Sequence, residues 1–240
     1  MHSFARHQHR PSGESVATTT KGLILSGGWR YDLHGWFLDA FLFRGQGRAL
    51  RRKTLTLARL QPGEQVLDVG CGTGTLALEV AQRVGSTGRV VGIDPGEEQI
   101  ARARAKAARR HLSIEFEVGV IEQLAFSNQT FDVVLSTLML HHLPAPLKRQ
   151  GLVEIARVLK PGGRLVIADF TRKQDRAGLA ARFHAGGSGL QDVVSLLEEA
   201  GFSQVETEEL PSPHFTTFPG ASLIRASIHA DERVITEREG

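Results

Sequence analysis

The chain has 240 residues, 41% of them hydrophobic, a formal net charge of +3 and a pI near 9.3. That length can bury a full core and fits one α/β domain better than two, while so small a charge excess argues against the concentrated basic face of a nucleic-acid binder. A single cysteine, Cys71, excludes an internal disulfide and any multi-cysteine metal site, and no apolar run approaches the ~18 residues needed to cross a bilayer.

Residues 1 to about 20 are polar and aperiodic, with Pro11 and Gly13, and are expected to form a mobile tail without a hydrophobic signal core. A cytoplasmic location is the default expectation. Residues 21–60 then concentrate aromatic groups. Trp36, Phe37, Ala40 and Phe41 recur at helical spacing, and Leu50, Leu55, Leu57 and Leu60 continue the pattern, which predicts an N-terminal helical cap. Its apolar groups suit docking on a sheet or a lid over an apolar substrate.

A domain spanning 61–228 follows the turn Gln61-Pro62-Gly63-Glu64. Val66, Leu67 and Val69 read as a strand covered on both faces; Gly70, Gly72 and Gly74 make a dense turn; Thr75 to Val84 regains helical spacing. Such a turn leaves no side chains between backbone and ligand, and the helix after it offers unpaired amides. Arg89 to Asp94 is a second buried strand, and Pro95-Gly96 opens a helix to about Arg110. Its Arg102, Arg104, Lys106, Arg109 and Arg110 read as a solvated face. Asp94 stands 20 residues beyond Gly74, the separation at which an acid can hold both hydroxyls of a ribose.

Further strands are predicted at 114–118, 131–136 and 164–169, with a helix from Ala145 to about Leu159 and a hard turn at Lys160-Pro161-Gly162-Gly163. This alternation means a parallel sheet with helices on both faces. Beyond a polar connection over about 170–188, a helix over 190–200 precedes two strands, near 205–210 and 222–227. No helix separates them, so they should pair as a hairpin-like element at a sheet edge. Residues 229–240 are expected to fray.

The motifs VLDVGCGTG (66–74), VVGIDP (90–95), FDVVLSTLMLHHL (131–143) and LKPGGRLVIADF (159–170) together resemble class I S-adenosylmethionine-dependent methyltransferases. The similarity is greatest to the small-molecule branch of ubiquinone and menaquinone biosynthesis, and it covers about Arg30 to Ser227. It implies a Rossmann-like, seven-stranded, mostly parallel sheet with helices on both faces and an antiparallel last strand. A dinucleotide dehydrogenase would show G-x-G-x-x-G, and Thr75 breaks that spacing.

The same resemblance implies a cofactor site for S-adenosylmethionine. Asp68, Gly70, Cys71, Gly72 and Gly74 would floor the methionine end, with Tyr31 closing over it. Asp94 would hold the ribose, Pro95 and Ile121 would flank adenine, and Glu122 would meet its edge. Ser136 and Thr137, with Leu138, sit where the family passes the methyl group to its acceptor. One departure is Val120, where relatives commonly carry an Asp that bonds the adenine amine.

An acceptor that must lose a proton needs a base. His141 and His142 are the first candidates, then His34 and His184; Asp169 reads as a cap or a surface acid. No carboxylate cluster suggests a metal, and adjacent His141 and His142 should diverge, which is poor ligand geometry. The segment after the fourth strand lacks the Asn/Asp-Pro-Pro-aromatic pattern of base N-methylation, and the paired-glutamate loop of protein arginine methyltransferases is absent. The expected acceptor is a hydrophobic small molecule, such as a quinone, polyketide, terpenoid or lipid head group, methylated on oxygen or carbon. Neither nucleic acid nor membrane insertion is expected; a homodimer is compatible with the chain. Two alternatives use the same site: a cofactor-retaining protein that catalyses a step such as cyclisation, and a binding protein without turnover.

Overall fold

The structure is a computed structural model that describes residues 46–170, 190–210 and 221–229. Seven strands form one sheet: β1 (Gln65–Val69), β2 (Arg89–Asp94), β3 (Glu115–Val118), β4 (Phe131–Thr137), β5 (Leu159–Phe170), β6 (Phe202–Leu210) and β7 (Ala221–Ile228). The helices are α1 (Gln46–Ala58), α2 (Thr75–Val84), α3 (Glu97–Arg109), α4 (Ala145–Val158) and α5 (Leu190–Glu199). The strand order is β3-β2-β1-β4-β5-β7-β6, with β7 antiparallel to both neighbours and the other strands parallel. The expected seven-stranded, mostly parallel Rossmann-like sheet is therefore present, and the last two strands pair as predicted.

Alternation along the strands divides the core into two layers. Leu67, Val69, Val134, Leu165, Ile167 and Ile224 face α4 and α5, where Leu152, Ile155, Val193 and Leu197 meet them. Val66, Val133, Leu135 and Val166 face Leu55 of α1, Leu76 and Val80 of α2, and Ile100 and Ala103 of α3. The sheet order runs outward from β1 through β2 to β3, then resumes on the other side of β1 with β4. The carboxyl ends of β1 and β4 therefore lie at the switch point where open α/β sheets bind ligands.

Two expectations need correction. Lys160 to Gly163 is not a separate turn before β5 but a bulge within it. Leu159 already pairs with Phe131, and the next pair is Val133 with Arg164, so β5 advances further than β4 between them. Gly162, at φ +75°, absorbs the extra residues. The basic face of α3 is not wholly solvated either. Arg104 lays its guanidinium on the Phe116 carbonyl, with Nε at 3.0 Å, and so covers backbone on the edge strand β3. Lys106 reaches the Thr73 hydroxyl at 2.7 Å.

Within the predicted cap, α1 docks on the sheet through Leu50, Leu55 and Ala58. Arg164 of β5 secures its end, bonding both Glu64 carboxylate oxygens (2.8 and 2.9 Å) and the carbonyls of Ala58 and Arg59. The cap aromatics Trp36, Phe37 and Phe41 lie outside the described residues. Among those described, no helix is long and apolar enough to cross a membrane.

Candidate functional site

The turn between β1 and α2 hangs on β2: the Gly70 and Cys71 amides both donate to the Ile93 carbonyl, at 2.8 and 2.9 Å. Gly70, Gly72 and Gly74 all have positive φ, which side chains resist. Their surroundings differ. A Cβ on Gly74 would stand 2.7 Å from the Phe116 ring and one on Gly70 only 2.4 Å from Met139 Cγ, whereas one on Gly72 would meet nothing within 4 Å. Gly70 and Gly74 are thus glycine for packing, and Gly72 leaves open space beside its backbone.

Asp94 grips this turn from the end of β2. Its Oδ2 accepts from the Gly72 amide and its Oδ1 from the Gly96 amide at the start of α3, both at 2.9 Å. Burial raises its pKa, opposed by those two amide bonds. Asp68, on β1, is 2% exposed, and its Oδ2 has no hydrogen-bond partner among the described residues. Burial first, and the charge of Asp94 second, push its pKa up to about 7. Burial likewise pushes the Cys71 thiol up, so Cys71 stands as a packed thiol rather than a ready nucleophile.

On β4, the Ser136 and Thr137 hydroxyls are also buried without partners among the described residues. Register puts Thr137 on the face of Asp68 and Ser136 on the opposite one, because Asp68 pairs with Leu135 and Val69 with Ser136. Pro95 is half-buried at the end of β2. Ile121 is buried in the core against Gly151 of α4. Glu122 is half-buried; its carbonyl accepts from Gln150 at 3.0 Å and its Oε2 has no partner among the described residues. Val120 forms a bridge with Gln123.

The histidines occupy a short 3-10 turn, Leu140–His142, and do not diverge as expected: their ring centroids are 3.8 Å apart. A surface place for Asp169 is overturned too, while its bond to a backbone amide of the turn is a capping contact. Asp169 is 1% exposed, and both its oxygens engage His141, Oδ1 with ring Nδ1 at 2.6 Å and Oδ2 with the backbone amide at 2.9 Å. Sequence reasoning missed this pairing and the Lys106–Thr73 bond. An acid ending the buried run Leu165 to Ala168 was the one local signal. Tyr31, His34 and His184 lie outside the described residues.

Among the described residues the site thus combines an open glycine backbone, a buried carboxylate with one unpartnered oxygen and two unpartnered hydroxyls. That donor set fits a ligand bearing both cationic and hydrogen-bonding groups. Residues 60–209 match the family described as "Methyltransferase domain". The chain belongs to this family of class I methyltransferases. Its cofactor is S-adenosylmethionine, and the residues just described fit it.

This methyltransferase is 35% identical to the 27-O-demethylrifamycin SV methyltransferase of Amycolatopsis mediterranei, over 76% of the chain and 70% of that protein. It is 37% identical to the ubiquinone/menaquinone biosynthesis C-methyltransferase of Geobacter sulfurreducens, over 61% of the chain and 56% of that protein. Against the arsenite methyltransferase of Halobacterium salinarum, 35% identity covers 62% of the chain and 40% of that protein. The matched stretch therefore spans only about half the length of the last two relatives. Among solved structures, an S-adenosylmethionine-dependent methyltransferase from Aquifex aeolicus superposes with a TM-score of 0.60 at 26% identity, covering 74% of this chain and 89% of that one. The [4+2]-cyclase SpnF, at 23% identity and a TM-score of 0.65 over 75% and 81%, shares the fold.

The double role of Asp94 makes it the residue whose loss tests the cofactor site most directly. Asp94→Ala is expected to weaken S-adenosylhomocysteine binding by about 1–3 kcal/mol, because it removes a charged acceptor and releases the Gly72 amide. Calorimetry showing wild-type affinity in a folded variant would remove the ribose from this acid.

Proposed function

We propose that this methyltransferase acts on a hydrophobic small molecule whose oxygen or carbon must lose a proton, with His141 as the base. The observation that carries the reading is the grip of Asp169 on His141. With Nδ1 committed to a buried carboxylate, the ring keeps its proton there and turns Nε2, the proton-accepting nitrogen, the other way. When bound, the cofactor supplies an electrophilic methyl group. The chain's task is then to hold, align, exclude water and take a proton.

In this reading Asp68 and the glycine turn hold the amino-acid end, Asp94 holds the ribose, and Pro95, Ile121 and Glu122 line the adenine side. Ser136 and Thr137 border the transfer path. His142, its ring tilted against that of His141 at a centroid distance of 3.8 Å, limits the ring's freedom to rotate. Quinones and polyketide-derived phenols or enols suit such a site, and the quinone and rifamycin methyltransferases above support that choice.

The test is a screen of phenols, hydroxyquinones and enolic polyketides with methyl-labelled S-adenosylmethionine. Labelled product with equimolar S-adenosylhomocysteine is expected. Turnover of an acceptor without S-adenosylhomocysteine would replace methyl transfer by a rearrangement such as cyclisation, and no affinity for the cofactor would leave a binding protein.

A further inference from the structure

We infer that Met139 is a positioning residue through which the cofactor turn sets where His141 and His142 stand. The consequence for turnover rests on the methyl-transfer reading above; the mechanical link does not.

The link follows from how the chain leaves β4. Leu138 adopts φ +54°, a left-handed conformation uncommon for a side chain of its bulk, and its amide donates to the Ala168 carbonyl at 2.8 Å. Leu138 also packs with Leu50, Ala168 and Leu223, so this bend is held by the core. It carries the chain across the carboxyl ends of the central strands and lays Met139 on Gly70. That contact is tight enough that a Cβ on Gly70 would overlap Met139 Cγ at 2.4 Å and Met139 Cβ at 2.8 Å.

The next residues complete a strap. Leu140 is buried in the core, the Met139 carbonyl accepts the His142 amide at 3.0 Å, and the His141 amide is held by Asp169. The strap is thus fastened to β5 at Ala168 and Asp169 and to the glycine turn through Met139. Gly70 lies two residues from Gly72, where a Cβ would meet open space. Close-packed contacts transmit displacement because neither side has room to absorb it. A shift of Gly70 on cofactor binding would press on Met139 and through it on the turn that carries the imidazoles. The long, unbranched side chain of methionine suits a contact that shifts between two closely spaced arrangements.

The experiment follows the imidazole resonances of His141 and His142 in 15N-histidine-labelled protein as S-adenosylhomocysteine is added. Both should move in the wild type. Met139→Ala is expected to bind S-adenosylhomocysteine within about twofold of wild type, yet to lose most of those shifts and about tenfold in kcat at unchanged acceptor KM. Met139→Leu, which keeps the Cβ and Cγ that touch Gly70, should restore both. Resonances that stay still in the wild type, or that move fully in a folded Met139→Ala variant, overturn the inference. Wild-type resonances that stay still overturn it even if the alanine variant fails to fold. Because the spectra need no acceptor, shifts that depend on Met139 in a protein with no methyl transfer would uphold the link and reject only the proposed reaction.

Discussion

Asp169→Asn is expected to lower turnover by about 10²-fold or more while S-adenosylhomocysteine affinity stays within about twofold. The carboxylate accepts twice from one residue, at the His141 ring and at its backbone amide. Asparagine has one acceptor and one donor end. A donor facing the backbone amide would set two hydrogens against each other, so the asparagine oxygen takes that position and its NH₂ faces Nδ1. The ring must then accept at Nδ1 and carry its proton on Nε2, which reverses the nitrogen meant to receive the acceptor's proton. The fold of the strap survives, because the amide bond is kept. His141→Ala should lose about as much, and the double variant little more, since the two side chains act as one unit. Full turnover in Asp169→Asn, or a matching loss of cofactor affinity, would assign the pair a purely structural role.

The second large effect is a pH dependence centred on Asp68. Its carboxyl is raised from an ordinary value of 3.8 to about 7 by burial and by the charge of Asp94. The folded state therefore holds this proton over a range in which the unfolded chain has released it. The stability the group contributes is full below 3.8 and is lost as pH rises toward 7. Over the whole interval the difference corresponds to roughly 4 kcal/mol at most. Glu115 and Glu154, held down by bonds to Arg89 and Arg157, act in the opposite sense, losing their contribution as pH falls below the ordinary 4.5. Asp94, also raised by burial, acts in the same sense as Asp68.

Denaturant titrations of the cofactor-free protein should show stability falling across that range, and Asp68→Asn should flatten the curve and be the more stable protein at pH 8. A cationic cofactor favours the ionised carboxylate, so S-adenosylmethionine should bind more tightly as pH rises to 7, with a proton released in buffers of different ionisation enthalpy. An Asp68→Asn curve parallel to the wild type would show that the proton resides elsewhere.

What the amino-acid sequence determined by itself is whatever depends on neighbours along the chain. The apolar run Val66 to Val69, the turn at Gly70 to Gly74 and the helix Thr75–Val84 were all legible, because burial on both faces, positive φ and helical spacing each leave a local mark. Asp94 was singled out by its distance from that turn, and the structure bonds it to the Gly72 and Gly96 amides. The bulge at Lys160 to Gly163 was half legible: proline and glycine announced an irregularity, but only pairing of Leu159 with Phe131 decided that it lies within a strand. The tertiary structure alone decided the contacts between distant positions. His141 meets Asp169 across 28 residues and Lys106 meets Thr73 across 33, and Met139 lies on Gly70. Nothing local distinguishes a surface aspartate from one that orients a histidine, because that depends on β4 and β5 being neighbours and on the bend at Leu138. Strand order, which arises from the packing of two core layers, turned a glycine motif with scattered polar residues into one site.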